Sequence, residues 1–439
     1  MKKIVTLLAA AGMVAASTAP AKALDVNVDG SWRLSFSTAS TGFEGDNVTD
    51  ARQRLRLGVS VAASENLSGY FQFQIGKDRW GTTANTHGNH DKTFTLVDKD
   101  YTYDTNQITL RQSYIDWTVP GTAAKVRMGR FALGLPADAV SSNAVISGDW
   151  GNKEGVVVTA PVTDNLGLTA MWTRLSADGT NVDENNFSDM FAVAANLKFA
   201  GVSGAVYGAY ATFDDNKTFN VKKGTSNGTN FTVSAGDAYW VGFTSTLTAF
   251  DPFTLALSAA YGSFNADDAA GKDTSGWNVQ AKASYKLGFG TPVLAGWYFS
   301  GMDDKEDGVM PSVGGYFTPT RTYHDAAKGL NGGIANGLPC GNWGVQAGIE
   351  GMSFLSGLSH DFLVTYMQGT NDEDVAKGTW ELSEEDSLVS FDLVNTYKIY
   401  KNLSAHLEFS YIISDFDGKQ NTALTEDDWR AELTFQYKF

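Results

Sequence analysis

Three arginines stand at alternate positions, Arg52, Arg54 and Arg56, and from Arg54 onward the intervening positions are apolar: Leu55, Leu57, Val59 and Val61. Residues two apart share one face of an extended strand. This spacing therefore predicts a stripe of guanidiniums on one face and an aliphatic stripe on the other. A guanidinium stays charged at neutral pH and offers five donors in a planar fork, so a row of them can hold or steer anions. Arg33 falls on the polar face of a similar alternation, as do Lys125 and Arg127, which flank Val126 ahead of Met128. Arg111 is ambiguous. The alternation of Ile115, Trp117 and Val119 places it among apolar positions, unless a bulge near Gln112 turns it over.

Other candidates for chemistry fade. Asp25, Asn27, Asp29 and Gly30 resemble the start of a calcium loop, but Phe36 stands where its closing acid belongs, and the segment overlaps the first strand. His87 and His90 sit near Asp91 without a helix to set their spacing, a weak basis for a metal site. Cys340, the one cysteine, can form no internal disulfide. No phosphate loop or nucleophile elbow is present. The five histidines, at 87, 90, 324, 360 and 406, make no nucleophile–base pairing from strand positions, so no catalytic residue and no cofactor is assigned. The formal charge of −16 argues against nucleic acid, whose phosphates need clustered cations.

Almost the whole chain repeats the period of two. Val28 to Phe36, Leu55 to Val61 and Phe71 to Ile75 each alternate apolar with polar residues, and no helical period of comparable length appears. Short connections such as Ser64–Leu67, Pro120–Ala123 and Ser356–Leu358 alternate with nine long polar ones, including 39–50, 78–106, 132–153 and 302–342. That rhythm predicts a transmembrane antiparallel β-barrel with tight turns at one rim and long loops at the other. Nine long loops imply 18 strands, or 16 if one hairpin is miscounted. Aromatics near strand ends, among them Phe250, Phe253, Phe289, Trp297, Phe299, Phe391, Tyr397, Tyr400 and Trp429, suggest interfacial girdles.

Lys2 and Lys3, the apolar run Ile4–Ala16 and Ala21-Lys22-Ala23 have the form of a secretory signal peptide, residues 1–23, ahead of a single barrel domain, 24–439. Its removal takes away three lysines and no acid, leaving −19 over 416 residues. The acids crowd long loops, as in Asp303 to Asp307, Asp372 to Asp374 and Glu384 to Asp386. Such loops concentrate cations and offer hard oxygen ligands through which Ca²⁺ or Mg²⁺ could bridge lipopolysaccharide.

The last strand alternates Trp429, Ala431, Leu433, Phe435, Tyr437 and Phe439 with polar residues and ends on Phe439. It resembles the terminal signal of outer-membrane proteins that the barrel-assembly machinery reads. Arg111 to Pro120, followed by Lys125 to Arg130 and a loop through Gly134, Leu135 and Pro136, resembles the outer-membrane homotrimeric general porin family. That resemblance implies an exported protein of the Gram-negative outer membrane, surrounded by its lipids and lipopolysaccharide. It further implies a homotrimer whose loop 78–106 reaches a neighbour, and a third long loop folded into the barrel as a constriction. An 18-strand count departs from the 16 of general porins.

On this reading Arg33, Arg52, Arg54, Arg56, Lys125 and Arg127 form a basic wall. Asp138, Asp149 and Glu154, on or beside the inserted loop, form the opposing acids of a transverse field. The expected function is passive diffusion of ions and small hydrophilic solutes, with weak cation preference from the net charge. The alternative is a substrate-selective channel for a sugar or an organic acid, marked by aromatics such as Tyr70, Tyr114 and Tyr207 in the lumen.

Overall fold

Alternation of the kind described leaves each strand two-faced, and a sheet with lipid on one side and water on the other must close, because an open edge in hydrocarbon would leave backbone groups unpaired. A computed structural model shows that closure. It describes residues 25–40, 47–80, 108–140, 142–147, 152–177, 187–213, 235–267, 273–303, 308–315, 317, 319–320, 341–376, 382–416 and 427–439. The strands are β1 (Asp25–Ser40), β2 (Asn47–Ser64), β3 (Leu67–Arg79), β4 (Ile108–Thr118), β5 (Lys125–Ala132), β6 (Asn152–Thr163), β7 (Leu166–Ala177), β8 (Phe187–Phe199) and β9 (Val202–Phe213). They continue as β10 (Gly236–Phe250), β11 (Phe253–Ala266), β12 (Thr274–Tyr285), β13 (Thr291–Phe299), β14 (Asn342–Leu355), β15 (Leu358–Gly369), β16 (Ser387–Tyr400), β17 (Leu403–Asp415) and β18 (Asp428–Lys438).

Each strand pairs antiparallel with the next, and β1 pairs with β18, giving a closed 18-stranded barrel. The count expected from nine long loops holds. The signal segment 1–23 lies outside the described residues. The seam is locked by the last residue: the Gly30 amide donates to the Phe439 carbonyl at 2.9 Å, and the Phe439 amide returns a bond at 3.2 Å.

Apolar side chains cover the outside. Trp32, Val193, Val206, Val241 and Leu294 are exposed, as lipid-facing positions of a barrel are. Phe250, Phe289, Tyr397 and Tyr400 are exposed near strand ends, the girdle positions expected of them. Trp297 and Phe299 differ: both are buried on the inner face, where Phe317 packs on them at 5.2 and 4.8 Å between ring centroids. Strand parity, which the eye reads from Leu294 and Tyr298, puts them inside; proximity to a strand end does not decide the face.

The packed core is therefore inside the barrel. Two long loops fold into it. From the third, which joins β5 to β6, the Ala139 amide donates to Ser258 Oγ at 3.0 Å and the Val140 amide to Gln280 Oε1 at 3.2 Å. From the seventh, which joins β13 to β14, the Pro311 carbonyl accepts Trp240 Nε1 at 2.7 Å and the Pro319 carbonyl accepts Gln346 Nε2 at 2.6 Å. The two loops also pair with each other: Val313 N donates to Val145 O at 2.9 Å and Ser147 N to Gly314 O at 3.0 Å. Leu133, Val145, Ile146, Met310 and Phe317 are buried where they meet.

Candidate functional site

Inserted loops identify the inner face. Tyr207, Trp240, Ser258 and Gln280 touch them, and the cross-strand register carries that face around the barrel to Arg33, which is opposite Arg54, and Ser31, which is opposite Arg56. Arg33, Arg52, Arg54 and Arg56 thus project into the lumen from β1 and β2. Lipid-facing arginines at mid-depth would cost about 2–4 kcal/mol each, so the parity is strongly imposed.

Arg111 joins them through the device left open by its spacing. Gln72 is opposite Gln112 while Phe73 is opposite Leu110, so Arg111 is the extra residue of a bulge on β4. It turns inward, and its Nη1 donates to Gln74 Oε1 at 3.2 Å; Arg56 Nε donates to the same oxygen at 3.0 Å. One amide carbonyl therefore holds two guanidiniums. Arg54 lies within electrostatic reach of Arg33, Arg56 and Arg111, and the Nε atoms of Arg54 and Arg111 are buried without hydrogen-bond partners. Buried donors of like charge in one place have outstanding capacity for an anion.

The remaining cations are more committed. Arg52 Nε bonds Asp50 at 2.7 Å. Arg127 makes a two-pronged pair with Asp116, both bonds 2.7 Å, and lies 4.1 Å from the Tyr114 ring centroid. Lys125 is opposite Thr159 on the inner face. Tyr70 and Tyr114 face the lumen as a pair, with centroids 5.3 Å apart. Tyr207 stands on the opposite wall and accepts from Asn143 Nδ2 at 3.3 Å. The tyrosines make a pair and a brace rather than a continuous ladder.

Of the expected acids, Asp138 and Glu154 lie among the described residues. Glu154 shares its face with Val156 and Val158 and points out of the barrel, paired with Arg130. Gly155 breaks the visual alternation, so the loop-to-strand boundary did not reveal this face. Asp149 lies outside the described residues. Asp138 is in the lumen but turned to the wall: its Oδ2 accepts the Ala144 amide at 2.9 Å, beside Tyr207, Ser258 and Gln280, and only 8% of it is exposed. It clips the third loop. Besides Asp50, the acids that act on the arginine wall are Glu408 of β17 and Glu432 of β18, both on Arg33. Asp392 accepts from Ser390 at 3.1 Å and Ser410 at 2.6 Å, and Arg430 pairs with Glu432. All occupy polar positions of alternating strands, a signal present in the sequence. Gln436, with its amide oxygen toward Arg33, accepts from it at 3.0 and 3.1 Å.

Loss of water pushes the Asp138 carboxyl up to about 6, opposed by the bond from Ala144; Tyr207 is the titratable group facing it. An unfolded Asp titrates near 3.9. The folded chain therefore holds the proton more tightly. The anchoring of the loop is fullest below about pH 4 and declines as pH rises through 6. Asp138→Asn, which retains an acceptor for Ala144, should remove up to about 3 kcal/mol of that pH dependence. Amide exchange at Ala144 to Ile146, followed from pH 4 to 7, would read it; an unchanged pH profile would show that another group controls the loop.

Two residual candidates are structural. Ser404 Oγ lies 2.9 Å from His406 Nε2, but His406 Nδ1 is 3.0 Å from Thr396 Oγ1 rather than from an orienting carboxylate. Loop acids Asp372 and Asp386 accept local amides, Asp374 N at 2.9 Å and Ser383 N at 2.7 Å. Among the described residues no three His, Cys, Asp or Glu converge to hold a metal. His87, His90, His324 and Cys340 lie outside the described residues.

No family model and no curated protein matches the sequence. Solved barrels do match in shape. Pseudomonas aeruginosa OccK9 (OpdG) superimposes with a TM-score of 0.60 at 14% identity, covering 94% of this chain and 98% of that one. Acinetobacter baumannii OccAB4 gives 0.57 at 10% identity, covering 96% and 100%. P. aeruginosa OpdK, solved with vanillate, gives 0.55 at 13% identity, covering 94% and 98%. The fold is that of Gram-negative outer-membrane porin structures. These similar structures are of the Occ and Opd type, so the resemblance to homotrimeric general porins carries as far as the porin fold and no further.

Proposed function

We propose that the protein is an outer-membrane channel selective for carboxylate-bearing solutes, the organic-acid form of the substrate-selective reading. The observation that carries it is the inward cluster of Arg33, Arg54, Arg56 and Arg111, two of whose members hold buried unpartnered donors. A carboxylate matches the guanidinium fork with two parallel bonds. The described side-chain bonds between the inserted loops and the barrel wall go to β9, β10, β11, β12 and β14, whereas the cluster stands on β1, β2 and β4. The acids of β17 and β18 beside Arg33 supply the other sign of a transverse field, in place of the loop acids expected. A barrel of the same shape was solved with vanillate, itself a carboxylate.

The net charge of −19 favours cations only at the wide loop mouths. Where the passage is narrow, the nearest fixed charges decide, and these are guanidiniums. In a planar bilayer under a salt gradient, the reversal potential should be anion-biased, and benzoate should block the current where the neutral analogue benzamide does not. A cation-biased potential with equal block by both would sink the reading. Export through residues 1–23, assembly through Phe439 and a homotrimer belong to the same proposal; three equal conductance steps would support the trimer.

A further inference from the structure

The seventh loop leaves β13 and returns to β14, and its two ends meet at one side chain. Asn371 stands just past β15, at the start of the eighth loop, which joins β15 to β16, and only 1% of it is exposed. Its Oδ1 accepts the Met302 amide at 2.9 Å. Its Nδ2 donates to the Gly341 carbonyl at 3.2 Å and to the Leu382 carbonyl at 2.8 Å. Met302 is on the outgoing end of the seventh loop, Gly341 on the returning end, and Leu382 on the returning side of the eighth. One carboxamide thus joins three segments that are distant in the chain, with both of its N–H donors in use.

The backbone repeats the link. Asp372 N donates to Met302 O at 2.8 Å, Thr370 N to Gly341 O at 2.9 Å and Glu384 N to Asn371 O at 2.8 Å. The approach is close at both ends. An added Cβ at Gly341, whose φ is +60°, would overlap the Asn371 amide, and one at Gly301 would overlap the Thr370 carbonyl. The outgoing end leads into the limb inside the barrel. Gly308 folds back against the Gly301 carbonyl, Thr274 Oγ1 donates to the Val309 carbonyl at 2.7 Å, and Val313 then bonds Val145 of the third loop.

We infer that Asn371 is a positioning residue for the aperture: through it the eighth loop sets where the inserted limb of the seventh stands in the lumen. The inference rests on the channel reading above. Met302 presents a donor, whereas Gly341 and Leu382 present acceptors, and a carboxamide answers all three. An ionised carboxylate in its place would face two carbonyls with no proton to give; a protonated carboxyl has one. Among the described residues, the charged side chains on the joined loop segments are acids, Asp303 on the seventh loop and Asp372, Glu384 and Asp386 on the eighth. Burial and these like charges would keep a carboxyl at position 371 protonated above its ordinary range.

Asn371→Asp therefore tests positioning at nearly constant shape, because its bonding changes with pH. Amide exchange at Val313 reads the limb, and unit conductance in a planar bilayer reads the aperture. Each is compared with wild type at the same pH, which removes the contribution of Asp138. Asn371→Ala should speed Val313 exchange by at least about tenfold at every pH, as expected for buried groups left unpaired, and should raise unit conductance. Gly341→Ala should act the same way by displacing the Asn371 amide. Asn371→Asp should resemble wild type near about pH 4 and Asn371→Ala near about pH 8. Exchange of the β18 amides should stay as in wild type, which shows that the sheet is intact. Unchanged Val313 exchange in the two alanine variants, an Asn371→Asp variant indifferent to pH, or a freed Val313 with unchanged conductance would each overturn the inference, even in a channel that passes carboxylates. A wild-type channel without anion bias, in which these variants still behave as expected, would sink the carboxylate reading and leave Asn371 its role.

Discussion

Arg54→Glu combined with Arg56→Glu should reverse the selectivity of the channel, converting an anion-biased reversal potential to a cation-biased one. The effect is large because both residues occupy adjacent inner positions of β2, opposite Arg33 and Ser31, and because among the described residues neither forms an ion pair with an acid. A solute carboxylate about 4 Å from one guanidinium gains about 4 kcal/mol at an effective dielectric constant of 20, before its own desolvation. Losing a fraction of that at two sites, and replacing it with repulsion, should lower carboxylate flux by about tenfold or more. Neutral solutes of the same size should pass as before. Arg127→Ala should do much less, since Asp116 already neutralises Arg127. Liposome swelling with benzoate and with a neutral sugar separates these outcomes, and equal loss for both solutes would point to collapse of the pore instead of loss of charge.

The second large effect is expected from Gly315→Val, which should open the pore. Residue 315 follows the segment where the seventh loop pairs with the third, and an added Cβ would overlap the Ala144 carbonyl oxygen. Overpacking of this kind costs about 1–3 kcal/mol. The bonds Val313–Val145 and Ser147–Gly314 are worth about 0.5–1.5 kcal/mol each, so the loop pairing gives way while the barrel stands. Unit conductance should rise and the size limit in swelling assays should relax. Trp240→Ala, which removes the 2.7 Å bond to Pro311 from the opposite wall, should move the same way by a smaller amount. Unchanged conductance in both variants would mean that the aperture is set by the β1–β5 wall alone.

These two variants probe features that were legible to different degrees. The inward course of Arg33, Arg52, Arg54 and Arg56 follows from a period of two and the expense of a charge in lipid, so a single strand contains the whole inference. Arg111 does not yield to that rule. Its direction depends on where β3 places the unpaired residue, a fact of the partner strand's register. Glu408 and Glu432 lie on legible polar faces, yet their nearness to Arg33 follows from closure of β18 onto β1, which joins residues some four hundred apart in the chain.

What the chain determines by itself is the barrel. Alternation, turn spacing and nine long loops specify a barrel of two-faced strands, 18 or 16 by count, because side-chain direction in a strand is a local property of the backbone; the closed sheet has 18. What only the tertiary structure decides is where the described parts of the long loops go. The third and seventh loops have no periodicity to read, and their place is set by bonds such as Ser312 to Val145, 167 residues apart. Those contacts turn Asp138 into a clip and bury Trp297 and Phe299 under Phe317.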